Sequence, residues 1–162
     1  MADTNTPEIK TLNDRTVAYV SFKGNYIGNS EVFKDLIGKV MGWAGPKGIL
    51  SEKSLLLASY QDDPQTTAPE DLTLEICLEI DEATEVEGEI KKKVLPGGKY
   101  VVMHAELKGP DEYGPAWEKI VEWMKENNVE IDMSRPSYEL YLNDPNEHPE
   151  KHHIIDICMS AK

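Results

Sequence analysis

A chain of 162 residues, 40% of them hydrophobic, is long enough to bury a sizeable core and too apolar to be disordered. Its 17 basic residues against 30 acidic ones leave a formal charge of −13, which repels phosphate backbones and anionic lipid surfaces and argues against direct binding of nucleic acid or membrane. No run approaches a transmembrane span and the first ten residues hold no apolar signal-like stretch, so a cytoplasmic location is expected.

Residues 1–9 read as a loose tail, given Asp3, Thr4, Asn5, Thr6 and Pro7. Thr16 to Phe22, rich in β-branched and aromatic residues, predicts a strand that turns at Lys23-Gly24-Asn25, with Tyr26 just beyond. From Asn29 or Ser30, Phe33, Leu36, Ile37 and Val40 make the i, i+3, i+4, i+7 stripe of an amphipathic helix that Gly45-Pro46 ends. Ser54 to Tyr60 and Leu72 to Ile80 predict two strands joined by a polar loop holding Asp62, Asp63, Pro64 and Pro69. Alternation in the second of them gives a sheet with one face on a core. Asp81 to Pro96 is charged and reads as a connection, with some strand character in Glu89 to Val94. Lys99 to Leu107 predicts another strand, stopped by Lys108-Gly109-Pro110. The helix after it has Pro115 in its first turn and Trp117, Ile120, Val121 and Met124 as its buried stripe, down to Asn127-Asn128. Strands at Pro136 and at His153 to Met159 complete the chain.

Two stretches end alike. Tyr60-Gln-Asp-Asp-Pro64 precedes Tyr141-Leu-Asn-Asp-Pro145 by 81 positions (141 − 60), and the match continues to Cys77 against Cys158. The helix stripes repeat at an offset of 84, and Lys23-Gly24 repeats as Lys108-Gly109 at 85. We read two copies of one strand-helix-strand-strand unit, residues 10–81 and 98–162, joined by a linker over 82–97. Cys77 and Cys158, in alternating strands, read as buried thiols of a reducing compartment, with a disulfide between them left open.

Within Pro136 to Pro145, Tyr138, Leu140 and Leu142 alternate onto one face and Ser137, Glu139 and Tyr141 onto the other. Asn143, Asp144 and Pro145 then stop the strand. Glu139 is the residue to explain, because a buried carboxylate is costly unless it meets a cation, bonds to hydroxyls or titrates upward. Its counterpart in the first copy is Ala58, whereas Tyr141 has one in Tyr60. Walls built from Tyr26, Tyr60, Tyr113, Trp117 and Tyr141 would add cation–π attraction. Trp117 belongs equally to its helix stripe and reads as core on that ground. Glu147, His148, His152 and His153 lack zinc-like spacing, Pro149 interrupts them, and His152 and His153 should point oppositely. No metal or other cofactor is therefore expected, and no nucleophilic triad or phosphate-cradling loop can be read.

At Lys23-Gly24-Asn25-Tyr26, at Leu95-Pro96-Gly97-Gly98-Lys99-Tyr100, at Lys108-Gly109-Pro110 and above all over Tyr138 to Pro145, the chain resembles the GyrI-like family, which includes the effector-binding domains of some AraC-type transcription regulators. The resemblance covers about Ile9 to Ala161. It implies a pseudo-two-fold α+β fold with antiparallel sheets, two long helices and a groove that takes small, often cationic or aromatic molecules, as multidrug-binding members do. Glu139 matches the family's groove acid, with Tyr26, Tyr60, Tyr113, Trp117 and Tyr141 as further ligand-binding candidates. The sequence departs from the family at Gly109-Pro110-Asp111-Glu112-Tyr113, where Gly-Pro-Tyr-Glu is common. Both copies use up the chain, so a helix-turn-helix beside them is not expected. Two other functions stay open. One is hydrolysis of cyclopropane-containing alkylating natural products by Glu139 with a pocket tyrosine such as Tyr113. The other is a protein-partner role of the gyrase-inhibitor type.

Overall fold

The computed structural model describes residues 3–26, 29–50, 55–60, 62 and 66–162. The chain divides into two compact units, residues 14–96 and residues 1–13 with 97–162. Each unit is an antiparallel sheet with one long helix, an α+β arrangement.

In residues 14–96, strand β3 (Arg15–Lys23) leads through helix α1 (Ser30–Ala44) to β4 (Leu56–Tyr60) and β5 (Thr73–Glu79). The sheet order is β4–β5–β3–β6, with β6 spanning Lys91–Leu95. Leu36, Val40 and Ala44 bury the inner face of α1, and Leu74, Ile76 and Leu78 are buried at alternate positions of β5. The other unit follows the same course, from β7 (Gly98–Leu107) through α2 (Tyr113–Glu126) to β8 (Ser137–Tyr141) and β9 (His153–Ser160). Its sheet order is β8–β9–β7, and β1 (Asp3–Thr4) and β2 (Glu8–Leu12) both pair with β7. Ala116, Ile120 and Met124 of α2 pack with Met103, Ala105, Ile155 and Ile157 into one core. Emptying such a site, as in Ile120→Ala, costs about 2–5 kcal/mol.

Local chemistry explains where α2 ends. Asn128 takes a left-handed backbone (φ 55°), Val129 N–H bonds back to Met124 O at 2.8 Å and Asn128 N–H to Lys125 O at 3.3 Å. That double bond closes a helix with a Schellman turn, and asparagine tolerates the conformation better than most residues.

Two expectations change. The loose tail of residues 1–9 gives way to strands: Glu8–Leu12 pairs with Val102–Gly98, and Asp3 and Thr4 pair with Glu106 and Ala105. Thr4 also accepts from Lys119 on α2. A polar, charged composition suits an edge strand, which satisfies its backbone on one side and meets water on the other. The same holds in the expected linker, where Lys91, Lys92 and Lys93 open β6 on the edge of β3. Lys93 binds Glu75 and lies over the Tyr19 ring at 4.4 Å, so one of these lysines is spent inside the sheet.

The pairing registers repeat. Leu57↔Cys77 and Tyr60↔Leu74 in the first unit match Tyr138↔Cys158 and Tyr141↔Ile155 in the second, an offset of 81 (158 − 77) on both strands. Tyr19↔Cys77 matches Val102↔Cys158, which relates β3 to β7 by 83 (102 − 19) rather than the 85 of the Lys-Gly match. The turn after β4 lies partly outside the described residues, because Gln61, Asp63 and Pro64 are not among them. Cys77 and Cys158 are both buried and are not joined in a disulfide, and burial, with Glu75 beside it, pushes the Cys77 thiol up. No described helix is long and apolar enough to cross a membrane.

Candidate functional site

Glu139 sits in the middle of β8 opposite Ile157, and alternation puts it and Tyr141 on the face that α2 covers. It is 2% exposed. Both of its carboxylate oxygens accept hydrogen bonds: Trp117 Nε1–H donates to Oε2 at 2.5 Å and the Tyr141 hydroxyl to Oε1 at 2.9 Å. Acceptance at both oxygens is what an ionised carboxylate offers. Trp117 reaches the acid from the helix stripe; its ring packs on the core while its polar edge finds the buried acceptor.

Tyr113 stands one helical turn before Trp117, so the two share a face of α2. Burial pushes the Tyr113 phenol well up, and the negative charge of Glu139 adds to the shift. Its hydroxyl lies 2.8 Å from His153 Nδ1, with the two rings edge to face at 5.4 Å. Burial first, and then His152, lower the His153 ring below its ordinary value. A phenol raised and an imidazole lowered favour the neutral form of both, and the histidine tautomer sets which of the two donates. The result is a half-buried aromatic wall, Tyr113, Trp117 and Tyr141, around one acid whose oxygens are already engaged.

The equivalent place in the other unit is apolar. Tyr26 is buried, its ring 5.6 Å from Tyr60 and 6.1 Å from Phe33, while Ala58, at the register position of Glu139, is fully buried. The six residues singled out in the sequence thus fall into two sets. Glu139, Tyr141, Trp117 and Tyr113 meet in one unit, and Tyr26 and Tyr60 meet in the other. Sequence reasoning missed His153 as a neighbour of Tyr113, since 40 residues separate them and neither carries a local sign of the other. It also missed Glu75, a second buried acid, which binds Lys93 and accepts from Ser21 Oγ at 3.1 Å. Of the histidines weighed for a metal, His153, the first residue of β9, turns to Tyr113, and His152, just before that strand, turns to Glu106.

Each unit is thus an antiparallel sheet with one helix, and one of them holds a buried acid among aromatic rings. Residues 5–162 match the GyrI-like small molecule binding domain, and the chain belongs to that family. A DNA gyrase inhibitor of Cronobacter sakazakii is 33% identical over 91 residues, covering 54% of this chain and 57% of the relative. The chain therefore spans less than three fifths of the length of this curated relative. Among solved structures, EcmrR in its DNA complex aligns with a TM-score of 0.77 at 15% identity, over 99% of this chain and 57% of that one. SAV2435 bound to tetraphenylphosphonium aligns at 0.68 and 14% identity, over 98% of this chain and 94% of that one. At these identities the structures report the fold alone.

Proposed function

We propose that this chain binds small lipophilic cations or aromatic molecules against Tyr113, Trp117 and Tyr141, with Glu139 as the charge partner. The observation that carries the reading is the buried Glu139 carboxylate bonded to the polar edges of two of those rings. A phenol or indole that donates to a carboxylate becomes more electron-rich, so its face attracts a cation more strongly. The cation meets the rings and feels the acid behind them, without the carboxylate having to lose its own bonds. A likeness in fold to a protein solved with tetraphenylphosphonium supports the ligand class.

Titration calorimetry with tetraphenylphosphonium, and with neutral triphenylphosphine oxide as its control, tests the assignment. Glu139→Gln keeps the shape and removes the charge. Loss of a charge partner in a partly wet site costs about 1.5–3 kcal/mol, a roughly ten- to hundredfold weaker Kd for the cation. The neutral compound should change little. Equal loss for both would make Glu139 a residue of the fold, and no loss for either would move the ligand site elsewhere.

A further inference from the structure

A second constellation lies outside that site. Glu106, near the end of β7, meets His148 and His152 from the connection between β8 and β9, with one possible ligand atom from each lying within 4.8 Å of the others. All three side chains are half-buried. His152 Nδ1 is 2.6 Å from Glu106 Oε2, and its ring stacks on that of His148 with centroids 4.9 Å apart and planes 17° from parallel. We propose that Glu106, His148 and His152 bind a divalent transition-metal ion of the zinc, nickel or copper class.

Two imidazoles and a carboxylate are the donors those borderline ions take, and hard cations such as magnesium prefer an all-oxygen set. The donors come from two separate segments, and the backbone already holds them. Asn143 Nδ2 donates to His152 O at 3.0 Å, and Lys151, at φ 62°, turns the chain so that its N–H bonds to His148 O at 3.1 Å. Each histidine has a nitrogen available. The ion takes the place of the hydrogen between His152 Nδ1 and Glu106; that hydrogen passes to Nε2, which faces the Glu150 carboxylate at 3.4 Å. A carboxylate on the far nitrogen is the usual way a ligating histidine is oriented. His148 Nδ1 already directs its lone pair at a donor, the Glu150 N–H at 3.1 Å, which the ion replaces. Ligands about 2.0–2.1 Å from a tetrahedral ion stand roughly 3.3 Å apart, so Glu106 and His152, now 2.6 Å apart, separate by about 0.7 Å on binding, and donors within 4.8 Å of one another close by at most about 1.5 Å. The sequence hides this site because Glu106 lies 46 residues before His152.

The tag-free full chain, stripped with chelator, is titrated with zinc chloride by calorimetry and with cobalt(II) by visible absorption. One equivalent should bind. His148→Ala, His152→Ala and Glu106→Gln should each weaken binding at least tenfold and change the cobalt spectrum. His104→Ala, which removes a surface histidine 2.7 Å from Asp156 and outside the constellation, should leave both unchanged. Thermal melts in chelator show whether each variant still folds, and His148→Ala carries the test if His152→Ala does not. No stoichiometric binding, wild-type affinity in His148→Ala, or an equal loss in His104→Ala would overturn the assignment.

Discussion

Trp117 helps to keep the buried Glu139 carboxylate partnered. Its indole N–H donates to one oxygen of the carboxylate, and the Tyr141 hydroxyl donates to the other. Trp117→Phe keeps an aromatic ring on the core but takes that donor away from Oε2. Hydrogen bonds to charged groups contribute about 1.5–3 kcal/mol, so the variant should lose that much stability in urea unfolding. Tyr141→Phe should cost a similar amount. The double variant should cost more than the sum, since each donor that remains compensates in part for the other. Simple additivity in this cycle would mean that the two bonds act independently and that no shared network surrounds the acid. Glu139 was legible in the sequence because an acid among apolar residues in an alternating strand has few bland explanations. The donor role of Trp117 was not, because a stripe residue that packs and one that also donates look the same in a pattern of hydrophobicity.

At the scale of elements, the strand ends show a shared role for Asp62 and Asn143, which stand 81 positions apart (143 − 62). Asn143 Oδ1 accepts from Ile154 N–H at 2.8 Å, and Asp62 Oδ2 accepts from Thr73 N–H at the same distance. Each thereby satisfies an amide at the start of the returning strand, so the side chain bonds across the turn rather than to its own backbone. The helices and central strands could be read from periodicity, whereas β2 could not and β6 showed only as some strand character in Glu89 to Val94, because exposed edge strands carry no buried stripe to give them away. The connection from α2 to β8 is built around Asp132. Its carboxylate accepts from the Ser134 hydroxyl at 2.6 Å, the Ser134 N–H at 2.9 Å and Arg135 Nε at 3.1 Å. Arg135 in turn donates to Ala161 O and Lys99 O, tying the connection to both neighbouring strands. The Ser134 bonds first, and then Arg135, lower the Asp132 carboxyl from 3.8 to about 2. A folded value below the unfolded one gives a stabilisation that is complete above pH about 4 and is lost as the pH falls through about 2. The gap in stability between the wild type and Asp132→Asn should therefore narrow from pH about 5 to about 2 in acid titrations followed by circular dichroism. A gap of constant size would assign the effect of Asp132 to geometry rather than charge.

Over the whole molecule the registers point to a repeat longer than the four elements read from the sequence. Tyr19↔Lys91 matches Val102↔Glu8, and Arg15↔Leu95 matches Gly98↔Leu12, so the offset of 83 that relates β3 to β7 also relates β2 to β6 (95 − 12). Each unit takes as its outer strand the one that directly precedes the opening strand of the other. We propose that the duplicated unit has five elements, beginning at β2 and at β6, and that its two copies have diverged where Glu139 and Trp117 stand against Ala58 and Phe33. That proposal makes the chemistry transferable. Ala58→Glu should place a carboxylate on the Tyr60 face of β4, in the unit that holds Tyr26, Phe33 and Tyr60, with phenylalanine at the position that Trp117 takes in the other unit. Burying an acid so poorly partnered costs about 3 kcal/mol or more. Adding Phe33→Trp supplies the N–H that Trp117 supplies in the other unit, and should recover about 1.5–3 kcal/mol of the loss in urea unfolding. Phe33→Trp alone should bring no such gain, because there is then no carboxylate to receive the bond. If the tryptophan helps equally in the presence and in the absence of Ala58→Glu, its benefit comes from packing, and the correspondence between the two units ends at the backbone.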